Sequence, residues 1–367
     1  TSDPEITFDD EGLCNHCKSA TEIKERVWFP NDAGEKLLEN IVKKIKEDGK
    51  NQEYDCVIGL SGGVDSSYLV CKAVKDYGLN PLAVHVDAGW NSELAVNNIE
   101  NIVKKLNIDL FTHVVDWEEM KDLQVAFLKA GVANQDTPQD HAIYSAVYNF
   151  AVKNKIKYML SGSNFATESI LPISWGYDAA DSKHLKAIHK LFGKIKLKSY
   201  PIVNFFEQHF KYPYIHKFTV ISPLNYMPYD KNEAIDYLEK NFGWRNYGGK
   251  HHESLFTKYF QAYYLPEMFG YDKRRAHLSS LIVSGQINRN AALEELTKPL
   301  YDDIKLKEDQ DYVVRKLSLT EEAFRKIIEA PKHLYSEYPN SESLLAVKIK
   351  VFRILSATKR RLLSLRR

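Results

Sequence analysis

The run Asp55-Cys-Val-Ile-Gly-Leu-Ser61-Gly62-Gly63-Val64-Asp65-Ser66-Ser67 carries an apolar stretch into two glycines, three hydroxyls and one carboxylate, and then into a second apolar stretch. This reads as a buried strand that breaks into a turn and opens a helix, an arrangement suited to holding a phosphate chain. Gly62 and Gly63 let the backbone approach an anion without a Cβ in the way, and the amides that open the helix at Asp65 to Ser67 are donors at its positive end. Ser61, Ser66 and Ser67 add hydroxyl donors, while Asp65 suits the magnesium that accompanies a nucleotide. An ordinary strand-to-helix turn also uses Gly and Ser. A full Ser-Gly-Gly-x-Asp-Ser at a strand end is far more specific than a lone glycine pair.

Other segments carry chemistry-bearing residues. His85-Val86-Asp87-Ala-Gly89-Trp90 and Ser161-Gly162-Ser-Asn164-Phe-Ala-Thr167-Glu168 each follow a short apolar run, where a turn with a helix cap is the plain alternative to a ligand contact. Asp140 and His141 stand near a helix start and could handle protons, although a cap accounts equally well for Asp140. Gly249-Lys250-His251-His252-Glu253 admits three readings: a phosphate clamp, part of a metal site, or a capped helix with exposed polar residues. Asp272-Lys273-Arg274-Arg275-Ala-His277 adds cations and favours an anion site. Cys14-Asn-His-Cys17 has metal-knuckle spacing but supplies half a site; Cys56 and Cys71 fall in the strand and helix around the glycine turn and read as core.

The elements that position these residues follow a βαβα rhythm. Strands are expected at Cys56–Leu60, Leu82–Val86, Asp109–Val115 and Tyr158–Ser161, with helices at Asp65–Asp76, Glu93–Leu106, Met120–Ala130 and Asp140–Asn154. That alternation implies an α/β fold: a parallel sheet with helices on both faces and ligands beyond the C-terminal strand ends. Residues 1–53 form an N-terminal segment with a small Cys knuckle and a charged helix near Glu35–Asp48. Residues 54–240 form the α/β domain, interrupted at about 171–217 by an aromatic and basic insertion that reads first as a solvated face. The sheet resumes at Phe218–Leu224, and 241–367 is a helical C-terminal region ending in a basic amphipathic stretch from Leu344.

Composition sets bounds. With 367 residues, 44% hydrophobic and 27% charged, the chain has the makeup of a globular protein with ample length for a core. A net charge of +1 gives no global field for nucleic acid, and no apolar run reaches membrane-spanning length. With no signal peptide at its start, a cytoplasmic location is expected, with no membrane required.

On Ser61 to Ser66 the chain resembles the PP-loop ATP pyrophosphatases, the Rossmann-like group that includes GMP synthetase, NAD synthetase, asparagine synthetase and the tRNA-thiolating enzymes. The resemblance implies that ATP, with Mg2+ on Asp65, is cleaved between its α- and β-phosphates and that a nucleophile displaces AMP. It implies adenosine contacts at His85, Val86, Asp87, Gly89, Ser161, Gly162 and Asn164, and a fold extending to about Leu238. Three longer segments, Asp3 to Cys17, Asn134-Gln-Asp136-Thr137-Pro-Gln139-Asp140-His141, and Gly249 to Ser254 with Phe269 to Ser279, resemble the bacterial N-acetyl sugar amidotransferases, the WbpG- and PseA-like enzymes of surface-polysaccharide and flagellar-sugar pathways. That resemblance implies conversion of a sugar acetamido group, on a UDP-linked sugar, to an acetamidino group. Ammonia would come from a separate glutaminase with a cyclase-barrel-like subunit. Lys250, Arg274 or Arg275 would neutralise pyrophosphate, and His251, His252, Lys273 and Glu168 join Asp140 and His141 as catalytic or substrate candidates. The family usually carries a further Cys-x-x-Cys upstream, with which Cys14 and Cys17 would hold a structural Zn2+; this chain shows none.

Two other functions fit the same loop. A tRNA-modifying thiolase would need a persulfide-carrying cysteine pair and a basic RNA face, for which Cys14–Cys17 and the basic run at 184–198 are the only sources. A non-catalytic ATP-binding subunit would use the basic C-terminus to recruit a membrane assembly.

Overall fold

A computed structural model of the chain describes residues 3–175, 177–248, 253–351 and 353. Five parallel strands, β1 (Cys56–Gly59), β2 (Pro81–Asp87), β3 (Leu110–Val114), β4 (Tyr158–Leu160) and β5 (Thr219–Ile221), form one sheet in the order β3-β2-β1-β4-β5. Successive strand residues face opposite sides. Val57 and Val84 enter one apolar cluster, with the helices Trp117–Ala130 and Thr137–Lys153, the insertion and the C-terminal helices. Cys56, Ile58 and Ala83 enter the other, with the helices Asp32–Gly49, Val64–Lys75, Glu93–Leu106 and Lys231–Phe242. Both faces of the central strands are therefore covered, as an all-parallel sheet requires.

The chain direction across the sheet reverses between β1 and β4, and the strands are recessed there. Gly59 ends β1 opposite Val84, and Leu160 ends β4 opposite Ile58, whereas β2 runs on to Asp87 alongside β3. A crevice opens above the two short strands, at the position where ligands bind in such sheets.

The fold agrees with the expected rhythm, and the differences are local. Helix Thr137–Lys153 begins three residues before the expected Asp140, with Pro138 in its first turn, where a missing amide proton costs nothing. An unexpected helix, Asn15–Val27, starts on the cysteine pair: Cys14 is its N-cap and its Sγ accepts the Cys17 amide at 3.4 Å. The insertion is stapled down through its backbone while its charge run stays a solvated face, with Lys183, Lys186, Lys190, Lys194, Lys196 and Lys198 exposed. Its helix Ser182–Phe192 packs on Trp117–Ala130, whose Glu119 accepts the amides of Lys198, Ser199 and Tyr200 at 2.7–3.2 Å. Cys56 and Cys71 are fully buried, as expected. Residues 342–351 are helical with Leu344, Val347, Ile349 and Val351 exposed, and the rest of the basic stretch lies outside the described residues apart from Arg353. Among the described residues no helix is long and apolar enough to cross a membrane.

The C-terminal region closes over the crevice. Asn91 and Ser254 form a β-bridge, the Ser92 amide donates to the Glu253 carbonyl at 2.8 Å, and the Leu255 amide donates to the Trp90 carbonyl at 2.9 Å. The segment opening at Glu253 is thus pinned to the turn that leaves β2.

Candidate active site

The glycine turn is held by its own hydroxyls. Ser61 Oγ accepts the Gly63 amide at 3.2 Å, and Ser66 Oγ lies 3.2 Å from Ser61 Oγ while accepting the Ser61 amide at 3.3 Å. Gly62 has φ +84°, and a Cβ there would sit 2.7 Å from the Ala95 carbonyl oxygen, so only glycine makes this turn. The turn delivers the chain to the N-terminus of helix Val64–Lys75, whose first amides have no carbonyl one turn back. Facing it, Gly162 leads out of β4 so closely that a Cβ would lie 2.9 Å from the Ser66 nitrogen.

Two cavities occupy the crevice. The first, ≈ 360 Å³, is lined by Ser61, Gly63, Val64, Asp65 and Ser66, by Ser161–Ser163 and Glu168, by Lys231 at the start of helix Lys231–Phe242, and by Trp244, Tyr247 and Glu253. The second, ≈ 410 Å³, is floored by the ends of β1, β2 and β4, including His85, Val86 and Ser161. Its walls are Asn134, Asp136, Gln139, Asp140 and Tyr177 on one side and Ser254, Thr257, Gln261 and Lys273 on the other. Ser61, Ser161, Gly162 and Glu253 border both, so the chambers meet beside the glycine turn.

Asp65 is oriented from two distant points of the sequence. Its Oδ1 accepts from the Tyr229 hydroxyl and, at 3.3 Å, from Asn164 Nδ2. Burial and then the Asp65 charge push the Tyr229 phenol well above its usual range, so it remains a donor. Trp244 Nε1 donates to the Gly62 carbonyl at 2.9 Å, and the Tyr247 hydroxyl accepts the Val64 amide at 3.1 Å. The hard oxygen of a carboxylate at the mouth of a phosphate-sized cavity fits Mg2+.

The second chamber contains a buried carboxyl. Asp136 is 4% exposed, and burial, reinforced by the charge of Asp140, drives its carboxyl well above the usual carboxylate range; Lys273 and a hydrogen bond from Thr257 pull the other way. His85 spans the chamber floor, its Nδ1 2.9 Å from the Leu60 carbonyl oxygen and its Nε2 2.9 Å from Asn91 Nδ2.

Ser61, Gly63, Val64, Asp65, Ser66, His85, Val86, Ser161, Gly162, Asp140, Glu168 and Lys273 line the two chambers, and several other candidates turn away. Ser67 is buried under the turn, and Gly62 faces Ala95. Asp87 caps its own turn at the Gly89 amide (2.8 Å), and a Cβ on Gly89 would strike Trp117. Asn164 caps the helix Phe165–Glu168 and reaches the site only through Asp65. His141 points behind the wall, its Nδ1 donating to the Ala179 carbonyl at 2.9 Å and burial lowering its pKa. Successive helical residues turn by about 100°. When Lys273 faces the chamber, Arg274 is therefore carried to Asp272 and the Lys298 carbonyl, and Arg275 to the cavity around Cys14 and Cys17. Gly249, Lys250, His251 and His252 lie outside the described residues.

Zinc finds no support. Among the described residues no group of three or more His, Cys, Asp or Glu is placed to hold a metal, so Cys14 and Cys17 supply half a site. Sequence reasoning missed Asp136, Lys231, Tyr229, Tyr247, Glu253 and Thr257 as site residues. Asp136 and Glu253 lie inside the family-like segments and Lys231 opens a helix after the last strand, so a signal existed for those three; for Tyr229, 164 residues from Asp65, there was none.

Known proteins match in two blocks. A family model described as NAD synthase matches residues 35–199, and one described as LPS biosynthesis protein WbpG-like, C-terminal domain, matches 253–354. The chain is 31% identical over 117 residues to an uncharacterized protein of Methanocaldococcus jannaschii (31% of this chain, 39% of that one). It is 32% identical over 98 residues to the NH3-dependent NAD+ synthetase of Mycoplasmopsis pulmonis (25% and 37%), and 29% over 171 residues to the glutamine-hydrolyzing GMP synthase of Thermosipho africanus (44% and 31%). These matches span well under half the length of each relative. Among solved structures, the NH3-dependent NAD synthetase of Campylobacter jejuni is 15% identical with TM-score 0.31, covering 70% of this chain and 98% of that one. The U34-tRNA thiolase NcsA of Methanococcus maripaludis is 13% identical with TM-score 0.34, covering 72% and 80%. At those scores neither structure bears on function. The chain thus joins an NAD synthase-type domain of the PP-loop superfamily to a C-terminal domain of the WbpG-like family of lipopolysaccharide-biosynthesis proteins.

Proposed function

We propose that the chain is an AMP-forming, ATP-dependent ligase that converts the acetamido group of a nucleotide-linked N-acetyl sugar into an acetamidino group. One observation carries the reading: a phosphate-type chamber and a second chamber meet at the glycine turn, and the WbpG-like segment gives Glu253 to both and Ser254, Thr257, Gln261 and Lys273 to the second. ATP phosphates belong in the first, cradled by Ser61, Ser66 and the helix amides, with Lys231 and the start of its helix toward the leaving pyrophosphate. Asp65 would hold Mg2+, which neutralises charge on the departing pyrophosphate. Adenosine rests on the strand ends at His85 and Val86, and the α-phosphate lies where the chambers meet. An amide oxygen is a poor leaving group; carried as AMP it departs readily, and ammonia takes its place.

Ammonia is supplied from outside the described chain, by a separate glutaminase working with a cyclase-barrel-like partner. Cys56 and Cys71, the cysteines nearest the turn, are core residues; burial pushes the Cys71 thiol up to about 12 and that of Cys56 higher. The same burial speaks against sulfur transfer at this site, and the basic run of the insertion lies along helix Trp117–Ala130 instead of the crevice. Incubation with ATP, Mg2+, ammonium and a UDP-diacetamido sugar should yield AMP, pyrophosphate and a sugar in which oxygen is replaced by NH, detected by mass spectrometry. Asp65→Ala should abolish AMP release. ATP binding with no AMP and an unaltered sugar would instead identify a non-catalytic ATP-binding subunit.

A further inference from the structure

The wall of the second chamber contains a directed chain of buried hydrogen bonds that crosses from the WbpG-like domain to the PP-loop domain. Ser254 Oγ donates to Gln139 Oε1 at 3.1 Å, Gln139 Nε2 donates to Thr257 Oγ1 at 2.9 Å, and Thr257 Oγ1 donates to Asp136 Oδ1 at 3.2 Å. Each of these four side chains is more than nine-tenths buried. With Gln139 in this amide orientation its Nε2 can only donate, so Thr257 Oγ1 accepts there and spends its own hydrogen on Asp136. The chain therefore terminates on one carboxyl oxygen as acceptor, and Asp136 Oδ2 meets no hydrogen-bond donor among the described residues although Asp136 lines the chamber.

Asp140 stands one helical turn on, its amide bonded to the Asp136 carbonyl at 2.8 Å, and it also lines the chamber. Residues four apart share a helix face, and two carboxyls so placed do not both ionise readily. The environments differ sharply: Asp136 is enclosed, Asp140 is exposed. The other titratable groups around Asp136 are Glu253 from the segment pinned to the β2 turn and Lys273 from the helix it opens, with His85 and Tyr177 on the chamber lining. Pairs of acids whose surroundings separate them in this way divide acid and base roles.

We propose that Asp136 acts as a neutral carboxylic acid donating a hydrogen bond into the chamber, and that its neutrality keeps Asp140 ionised as the base for the incoming nitrogen. This rests on the function proposed above. Ammonia adds to the adenylated carbon, its lone pair forming the new C–N bond as the C=N pair moves onto the sugar nitrogen. The added nitrogen then gives one proton to the Asp140 carboxylate. The C–O bond to AMP breaks with its electron pair on the AMP oxygen, and the sugar nitrogen restores the C=N bond. Asp136 keeps its proton throughout; Thr257 and Gln139 are positioning residues.

The whole chain labelled with 13C at aspartate carboxyls separates this from the functional reading, because the measurement needs no turnover. One resonance, missing in Asp136→Asn, should sit at the protonated position at pH 7 and titrate at lower pH than in wild type when Asp140 is replaced by Asn. An Asp136 resonance at the carboxylate position at pH 7 overturns the proposal, whether or not the sugar is turned over. In turnover with ammonium, Asp140→Asn should lower product formation about 10²-fold more than it lowers ATP–pyrophosphate exchange, the range of general base catalysis. Wild-type activity should fall at alkaline pH as Asp136 ionises, Asp136→Asn should lack that limb, and Asp136→Leu should be slower than Asp136→Asn at pH 7. Equal loss of both half-reactions in Asp140→Asn, or an alkaline limb that persists in Asp136→Asn, refutes the division of roles.

Discussion

Gly162→Ala adds one methyl group at the place where the two recessed strands face each other. The new Cβ would lie 2.9 Å from the Ser66 nitrogen, 3.1 Å from the Asp65 carbonyl carbon and 3.2 Å from the Ser66 Cα. Unstrained carbon contacts sit at about 3.5–4.0 Å, so the β4 exit and the helix opening must part by about 0.6–1 Å. All three clashing atoms are backbone, and none can rotate aside. The displaced atoms are the amides and the Asp65 carboxylate that would grip ATP, and misplacement on that scale costs about 10²-fold in rate. Overpacking also lowers stability by about 1–3 kcal/mol, which a thermal melt separates from the catalytic loss. ATP binding by calorimetry and ATP–pyrophosphate exchange should both weaken in a variant that remains folded at the assay temperature. A Gly162→Ala protein that binds and exchanges like wild type would show that the phosphates do not lie between Gly162 and Ser66, and the assignment of the first chamber would fall with it.

Two further outcomes follow from residues no motif announced. Tyr229→Phe removes the hydroxyl donor to Asp65; a hydrogen bond to a charged group contributes about 1.5–3 kcal/mol, so the Mg2+ concentration for half-maximal exchange should rise about 10-fold or more, and an unchanged Mg2+ dependence would refute the clamp. His184 lies among Phe127, Tyr177, Tyr335 and Tyr338 with neither ring nitrogen hydrogen-bonded among the described residues, and burial lowers it from 6.5 to about 4. Its folded value is depressed, so the unfolded chain binds the extra proton: the neutral ring's contribution is complete above pH 6.5 and is lost as pH falls toward 4. His184→Leu should flatten the acid limb of stability in urea melts by an amount on the order of 3 kcal/mol at pH 4, and an unaltered limb would place the titrating group elsewhere.

The sequence by itself determined the sheet, the glycine turn and the chemistry class of that turn. Those are local properties: alternating short apolar strands and longer helices dictate a parallel sheet, and Ser61 to Ser66 need only each other and a helix N-terminus to make a phosphate cradle. The boundaries that moved did so for equally local reasons, as where Pro138 starts its helix a turn early. Which of several adjacent polar residues face the site was decided only by tertiary structure. Lys273, Arg274 and Arg275 are alike in charge, yet helical rotation gives the chamber one of them; Asp140 faces it and His141 the core. Partners far apart in sequence were beyond reach too, since Tyr229 finds Asp65, and Thr257 finds Asp136, only after the C-terminal segment docks on the turn leaving β2. Spacing along a chain gives the relative angles of residues about a helix axis but not which of them faces the crevice, and it carries no record of what packs across it.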